Sequence, residues 1–509
     1  MQEFEDRGHT HFERREVALQ AIELLEANSD EVENRIDCLL TQAEIVPSKP
    51  EWIQLPPTFR AEHTLARSLH VVMQGNSSLP SIHIDKALVW AQEKAGFQFA
   101  EMQEHALRQA LSSKVSILTG GPGTGKTTIL RALVSILRAK KTKILLAAPT
   151  GRAAKRMSES TRHFAQTVHR LLKFDPSQGG FIMKEQNPLV CDYLIMDESS
   201  MLDTRLASAL LRALPSNAHL LLVGDADQLP SVGSGNVLRD LIRCKILPVT
   251  RLEVTFRQAD DSGIVGLAHS ILSGKASPPP PLEFGSQLPR NHDVHFIRAE
   301  SPEECVRVVC DLCKRVLPKS FGINPKSDLQ ILAPLHRGVG GIGNLNDQIR
   351  DAINPNGATH MMGSLLFREG DKVIQTRNNY DKDVFNGDLG IIQKVDNLNG
   401  VLEIDFEGRM VRYERMEVTD LQPAYAISVH KSQGSEYPVV IFPLLKQHFM
   451  MLQRNLVYTG LTRAKKKVVF VGDPAAYAMA VRNNKTLSRE TDLIRKFLEE
   501  TEATQTPNN

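Results

Sequence analysis

Apolar residues recur every three or four positions through FERREVALQAIELLEANSDEVENRIDCLL and again through DKALVWAQEKAG, so residues 1–98 read as mainly helical, with a short WIQLPP strand between. From residue 99 the pattern changes. Short uninterrupted apolar runs (VSILTG, KILLAAPT, YLIMDE, HLLLVGD) alternate with helical stretches. Such runs leave no face for water, which predicts parallel strands covered by helices on both sides. A second block of the same kind follows in LQILAPL, VVIFPL and KKVVFVGD. Within it, residues 362–420 carry short strands punctuated by Asn-Gly and Gly-Asp turns, the pattern of a small β-barrel insertion. Three shorter stretches complete the chain: KASPPPPLEFGSQLP (275–289) predicts a stiff connecting loop, KFDPSQGGFIMKEQNPLV a β-hairpin at about 173–190, and TEATQTPNN a disordered tail.

Composition narrows the classes. Hydrophobic content of 41% and charged content of 24% are ordinary for a soluble globular protein, and 509 residues make several domains. No apolar run approaches the roughly 18–20 residues that span a bilayer. The charged start MQEFEDRGHTHFERRE has no signal-peptide core, so a cytoplasmic protein without membrane contact is expected. A net charge of +2 means that any grip on nucleic acid comes from local grooves rather than a basic surface. Six cysteines are too sparse for a disulfide framework. Cys305, Cys310 and Cys313 fall on a helical pattern with no second Cys-x-x-Cys, so they read as small buried hydrophobes and no metal cage is expected.

The chemistry sits at the ends of the apolar runs. SILTGGPGTGKTTIL places Gly120-x-x-x-x-Gly125-Lys126-Thr127 after a strand and at the opening of a helix, the context a phosphate loop requires. Backbone N–H groups of Gly121, Pro122's neighbours, Gly123, Thr124 and Gly125 can wrap phosphates, helped by the helix N-terminus, with Thr128 following. Lys126 is expected to neutralise β/γ-phosphate charge and Thr127 to ligate Mg²⁺. In YLIMDESSML, Asp197 and Glu198 emerge at the carboxyl edge of a buried strand. Asp197 suits Mg²⁺, and Glu198 suits orienting an attacking water. LLLVGDADQLPSVGSGNVL brings Asp225, Asp227 and Gln228 to the same edge, Gln228 as a γ-phosphate sensor. Arg257 in LEVTFRQ is a candidate arginine finger.

Taken in order, Gly120–Thr127, Asp197-Glu198, Gly224-Asp225-x-Asp227-Gln228 and Arg257 resemble the motifs of superfamily 1 helicases. With APTGRAAKRMSE, QTVHRLL, FNGDLG, AYAISVHKSQGSE and RNLVYTGLTRAKK, the chain from about Phe99 to Gly472 is similar to the RecD-like DNA helicases, the 5′→3′ branch. The resemblance implies two RecA-like motor domains with ATP between them, and a small barrel of SH3-like type packed against the strand. The implied division is 1–98, helical N-terminal region; 99–250, first motor, including the hairpin; 251–361 with 421–498, second motor; 362–420, barrel; 499–509, tail. It implies an adenine contact at Gln103, a nucleotide contact at Glu436 and a second arginine finger at Arg463. Strand contacts are implied at Pro149, Thr150, Arg152, Thr167, His169, His430, Ser432 and Gln433, with Gly434 beside them. The hairpin would act as a pin at the duplex fork.

The function expected is an ATP- and Mg²⁺-dependent DNA helicase, a monomeric motor on single strands and on single/double-strand junctions, serving repair or recombination with partner proteins left open. A nucleic-acid-stimulated translocase without unwinding, and a DNA-binding motor subunit of a recombination complex, are the alternatives. DNA rather than RNA rests on the resemblance. Longer relatives carry helix-hairpin-helix elements before the motor. Here about 98 residues precede it without a pair of glycine-containing hairpins, which leaves a naturally short or a truncated member open. No acidic cluster of nuclease type stands out.

Overall fold

The structure is a computed structural model that describes the chain except for residues 176, 178, 254–261, 363–364, 380, 485–488 and 504–509. The N-terminal residues form short helices around a three-stranded antiparallel sheet built from Phe12–Glu13, Val46–Lys49 and Trp52–Gln54, so WIQLPP does open on a strand. A long helix, α1 (Pro56–Gln74), begins at two prolines, whose fixed φ suits a first turn and whose missing N–H costs nothing there.

The first large sheet contains β1 (Val115–Gly120), β2 (Ile144–Ala148), β3 (Ala165–Thr167), β4 (Tyr193–Met196), β5 (His219–Gly224) and β6 (Val249–Leu252). They pair in parallel in the order β6-β1-β5-β4-β2-β3. The pleat sends alternate residues to opposite sides. Leu194, Met196, Leu220 and Leu222 join one core with Leu65 and Leu69 of α1. Tyr193, Ile195, Leu221 and Val223 join another with Leu130 and Leu133 of α2 (Lys126–Ala139). Both faces are covered, which is why these strands read as unbroken apolar runs. The helix α3 (Gly151–Thr161) follows β2, its N-terminus capped by Thr150 Oγ1, which accepts from Ala153 N at 3.3 Å.

The second sheet contains β7 (Pro281–Leu282), β8 (Val294–Arg298), β9 (Leu329–Ala333), β10 (Ala426–Ser428), β11 (Tyr437–Leu444) and β12 (Ala464–Gly472), parallel in the order β7-β8-β12-β11-β9-β10. Phe296, Val440, Phe442, Val468 and Phe470 line one core, and Ile297, Val439, Ile441, Val469 and Val471 the other. The proline patch read as a connecting loop supplies β7. A proline is tolerated there because the strand is at the sheet edge.

The expected insertion is an antiparallel five-stranded sheet, ordered 409–413, 401–406, 389–396, 372–375, 421–423, around its own core of Phe367, Ile392, Leu402, Ile404, Phe406 and Tyr413. Two short strands, Phe174–Asp175 and Gly180–Phe181, pair antiparallel where the hairpin was expected.

One boundary differs from the expected division. The helix α4 (Leu493–Ala503) does not belong to the second motor's core: Leu493 and Phe497 pack with Leu65 and Leu69 in the first motor's core. The reason is local chemistry: Lys496 Nζ donates to Glu62 Oε2 at 2.8 Å and to Gln54 Oε1 at 2.7 Å, all three fully buried. An unpaired buried charge would be costly, and this network pairs it. Residues 499–503 continue that helix instead of starting a tail. Among the described residues, no helix is long and apolar enough to cross a membrane.

Candidate nucleotide cavity and strand-facing groups

The chain turns from β1 into α2 through Gly121–Gly125, with Gly123 at φ +77° and Gly125 at φ +91°, left-handed values that glycine adopts without a Cβ penalty. Lys126 begins α2, and its Nζ donates to the carbonyls of Gly120 and Gly121, the latter at 2.8 Å. Thr124 Oγ1 donates to Gly121 O at 2.8 Å and braces the loop.

Asp197 follows β4 directly. Its Oδ1 accepts from Glu198 N at 2.8 Å, and Glu198 itself sits at φ +51°. Burial raises the Asp197 carboxyl above its usual range, and the Glu198 charge raises it further, against the opposing pull of Lys126 and Arg156. After β5, the buried Asp225 carboxylate is held by three donors. Tyr458 Oη donates at 2.9 Å, Gln228 Nε2 at 3.1 Å, and Asp227 N at 3.1 Å. Tyr458 comes from the second motor.

A cavity of about 350 Å³ opens where these groups meet. From the first motor it is lined by Pro122, Gly123, Gly125, Lys126, Thr127, Thr128, Asp197, Glu198 and Gln228, and from the second by Glu436 and Arg463. Gly121 and Thr124 face a neighbouring cavity beside Tyr458. Arg463 is buried, its guanidinium fixed by the carbonyls of Ser435 (3.2 Å) and Thr459 (3.2 Å). Thr127 and Asp197, the pair expected to hold Mg²⁺, lie in one cavity, and a hydroxyl beside a carboxylate is an oxygen donor set that suits a divalent cation.

One expected nucleotide contact stands apart. Gln103 is buried, lines none of these cavities, and its Oε1 accepts from Ala100 N at 3.1 Å, closing the first turn of its own helix. Arg257 lies outside the described residues. Sequence reading passed over Arg156, which lines the cavity, donates to Gly434 O at 3.0 Å and approaches Glu436 at 3.7 Å. It stands in the quoted APTGRAAKRMSE, four positions after Arg152, so helical spacing was the available signal. Thr459, whose Oγ1 accepts from Leu229 N at 2.9 Å across the motors, had no such signal.

The expected strand contacts fall into three places. His430, Ser432 and Gln433 sit on the loop after β10. Ser432 and Gln433 are buried, Ser432 Oγ donating to Val429 O at 2.6 Å and Gln433 Nε2 to Leu229 O of the first motor at 2.8 Å. Burial, then Arg489, lowers the His430 pKa. Pro149 and Thr150 are half-buried at the end of β2, Thr150 Oγ1 facing Gly434. Arg152 and Thr167 line a cleft between α3 and the barrel. His169 packs against the hairpin, its ring centroid 5.7 Å from Phe181 and 6.3 Å from Phe174.

Among the described residues, no cluster of three or more His, Cys, Asp or Glu side chains suits a metal ion. Cys305 and Cys313 are buried, and burial raises all three thiols of that helix.

Three family matches follow the same order along the chain: an AAA domain over residues 103–234, an ATP-dependent RecD-like DNA helicase SH3 domain over 345–406, and a UvrD-like helicase C-terminal domain over 423–471. The RecBCD enzyme subunit RecD of Mycolicibacterium smegmatis is 30% identical over 419 residues, covering 76% of this chain and 73% of that protein. This chain belongs to the RecD-like helicase family. The ATP-dependent RecD2 DNA helicase of Deinococcus radiodurans is 33% identical over 498 residues, 97% of this chain but 65% of its own length. The RecD-like chain therefore spans about two-thirds of that relative. The crystal structure of Pif1 helicase from Candida albicans overlaps 80% of the RecD-like chain at 19% identity with a TM-score of 0.46, too loosely to match residues.

Proposed function

We propose that this chain is an ATP-dependent DNA helicase that translocates 5′→3′ on single-stranded DNA and unwinds the duplex ahead of it. The observation that carries the reading is the shared cavity: a phosphate loop and two carboxylates from one parallel-sheet domain meet a glutamate and a buried arginine from another. Lys126 and the backbone of the Gly121–Gly125 loop bind and orient the phosphates. Glu198 accepts the proton of the attacking water. Arg463 and Gln228 face the transferred phosphoryl group and stabilise its developing charge. Thr127 and Asp197 would hold Mg²⁺, which would supply charge neutralisation at the phosphates. Domain closure around the substrate and reopening after hydrolysis convert the cycle into movement. Pro149, Thr150, Arg152, Thr167, His169 and the 430–433 loop serve as the strand-side contacts, and partner proteins of repair or recombination remain part of this proposal.

The test is strand displacement on partial duplexes with either a 5′ or a 3′ single-stranded tail, with Lys126→Ala and Glu198→Gln as controls. Unwinding confined to the 5′-tailed substrate and lost in both variants is the expected result. DNA-stimulated hydrolysis with no displacement on either tail would overturn the unwinding claim and leave a translocase or motor subunit.

A further inference from the structure

The face of α3 turned toward the barrel carries a second cation, Lys155, beside Arg152. Arg152 and Lys155 are three positions apart on that helix, so their side chains share one face. Both are directed to a single barrel side chain. Lys155 Nζ lies 2.6 Å from Glu407 Oε2, and Arg152 Nη2 lies 3.9 Å from Glu407 Oε1. Glu407 sits in the tight turn between strands 401–406 and 409–413, at φ +53°, a backbone conformation that non-glycine residues rarely adopt. Lys155, through its hydrogen bond, holds the Glu407 carboxyl below its usual pKa range.

The cleft behind this contact has a volume of about 270 Å³, and Arg152, Lys155, Thr167, Arg170 and Glu407 all line it. Two cations converging on one carboxylate, beside a cleft that already contains two expected strand contacts, match what a strand phosphate would meet. An ion pair this exposed holds weakly, so a phosphate can replace the carboxylate. Gly151 fixes the approach of the two bodies: a methyl group there would overlap the Phe385 ring of the barrel.

We propose that Arg152 and Lys155 form a phosphate site for a nucleic-acid strand on α3, and that Glu407 occupies this site until the strand displaces it. This rests on the helicase reading for the presence of a strand, but it adds Lys155 as a binding residue and Glu407 as its built-in competitor. Displacement costs part of the binding energy of every strand that enters and frees the barrel from the first motor as it does so.

The experiment is fluorescence anisotropy of labelled oligo(dT) with the full chain across a salt series. Glu407→Gln should tighten binding about three- to tenfold at low salt, because no carboxylate then competes for the two cations. Lys155→Gln should weaken binding several-fold and make the salt dependence shallower by about 0.7 in log–log slope, one cation's share on a single strand. Asp405→Asn is the charge control, since it changes the same barrel hairpin by one unit of charge while its carboxylate accepts only from Gly408 N among the contacts described. No change or weaker binding in Glu407→Gln, or an equal gain in Asp405→Asn, overturns the competitor. An unchanged affinity and slope in Lys155→Gln overturns the site. A wild-type chain that does not bind oligo(dT) at all sinks this proposal together with the helicase reading, whereas wild-type binding with unresponsive variants sinks this proposal alone.

Discussion

The two parallel sheets have the same strand-and-helix construction but present opposite edges to the shared cavity. The first offers its carboxyl edge: the phosphate loop follows β1, Asp197 follows β4 and Asp225 follows β5. The second offers its amino edge: Glu436 immediately precedes β11 and Arg463 immediately precedes β12, two strands paired side by side. A carboxyl edge supplies loops and a helix N-terminus able to wrap phosphate. An amino edge supplies isolated side chains fixed by the strands behind them. One domain therefore builds the site and the other completes it, and a common fold does not imply a common task.

The comparison breaks first at Arg463. If the amino edge completes the site, Arg463→Ala should lower kcat for ATP hydrolysis about 10³-fold while substrate binding, measured with a fluorescent analogue, changes far less. Equal losses in both would make Arg463 a binding group like those of the carboxyl edge.

The second expectation concerns titration. The first motor buries acids, whereas the barrel strand 372–375 buries a base, Lys372, against the start of β9. Burial lowers its pKa to about 7, and its Nζ donates to Leu329 O at 3.0 Å. The unfolded chain holds this proton up to about pH 10.4, the folded chain only to about 7. Stability from this group is therefore complete above the unfolded value, falls as pH drops from about 10 to 7, and is level below. Lys372→Met should remove that slope, raising stability by up to several kcal/mol near pH 7. Chemical denaturation at pH 7 and 9.5 checks it.

Tyr458→Phe comes next. It removes the only hydrogen bond described between the Asp225 carboxylate and the second motor and should cost about 2 kcal/mol, read from the urea midpoint. The smallest effect is expected at Gly151. Gly151→Ala should cost about 1 kcal/mol through overlap with Phe385, and it should expose the barrel to limited proteolysis before either motor.

Much of this was legible in the chain because the strands are buried on both faces. An unbroken run such as HLLLVG has no other economical reading, and the polar residues that end it must lie at a sheet edge. Lys126, Thr127, Asp197, Glu198 and Gln228 were found that way. Glu436 and Arg463 came from the family resemblance, since a charged residue before a strand carries no local signal. Gln103 was expected at the nucleotide for the same reason, yet its amide is used within its own helix, an alternative that short-range pattern cannot separate from ligand contact. The packing of α4 on α1 was not legible. Its determinants, Lys496, Glu62 and Gln54, lie more than 400 residues apart in part, and nothing in either segment alone announces the other.

That packing sets how the molecule can bear load. The second motor and barrel leave the first motor after Leu252 and rejoin it at Arg489, whose guanidinium donates to the carbonyls of Ser231, Gly233 and Gly235 at 2.7–3.0 Å. The chain thus crosses between the two bodies at two places, beside the side-chain contacts of Tyr458, Thr459, Gln433 and Glu407 with the first motor. Drawing the second motor straight away would load α4, whose Leu493 and Phe497 sit in the first motor's core. A load pulling the second motor from the first would therefore be divided between two crossings of the chain instead of falling on one.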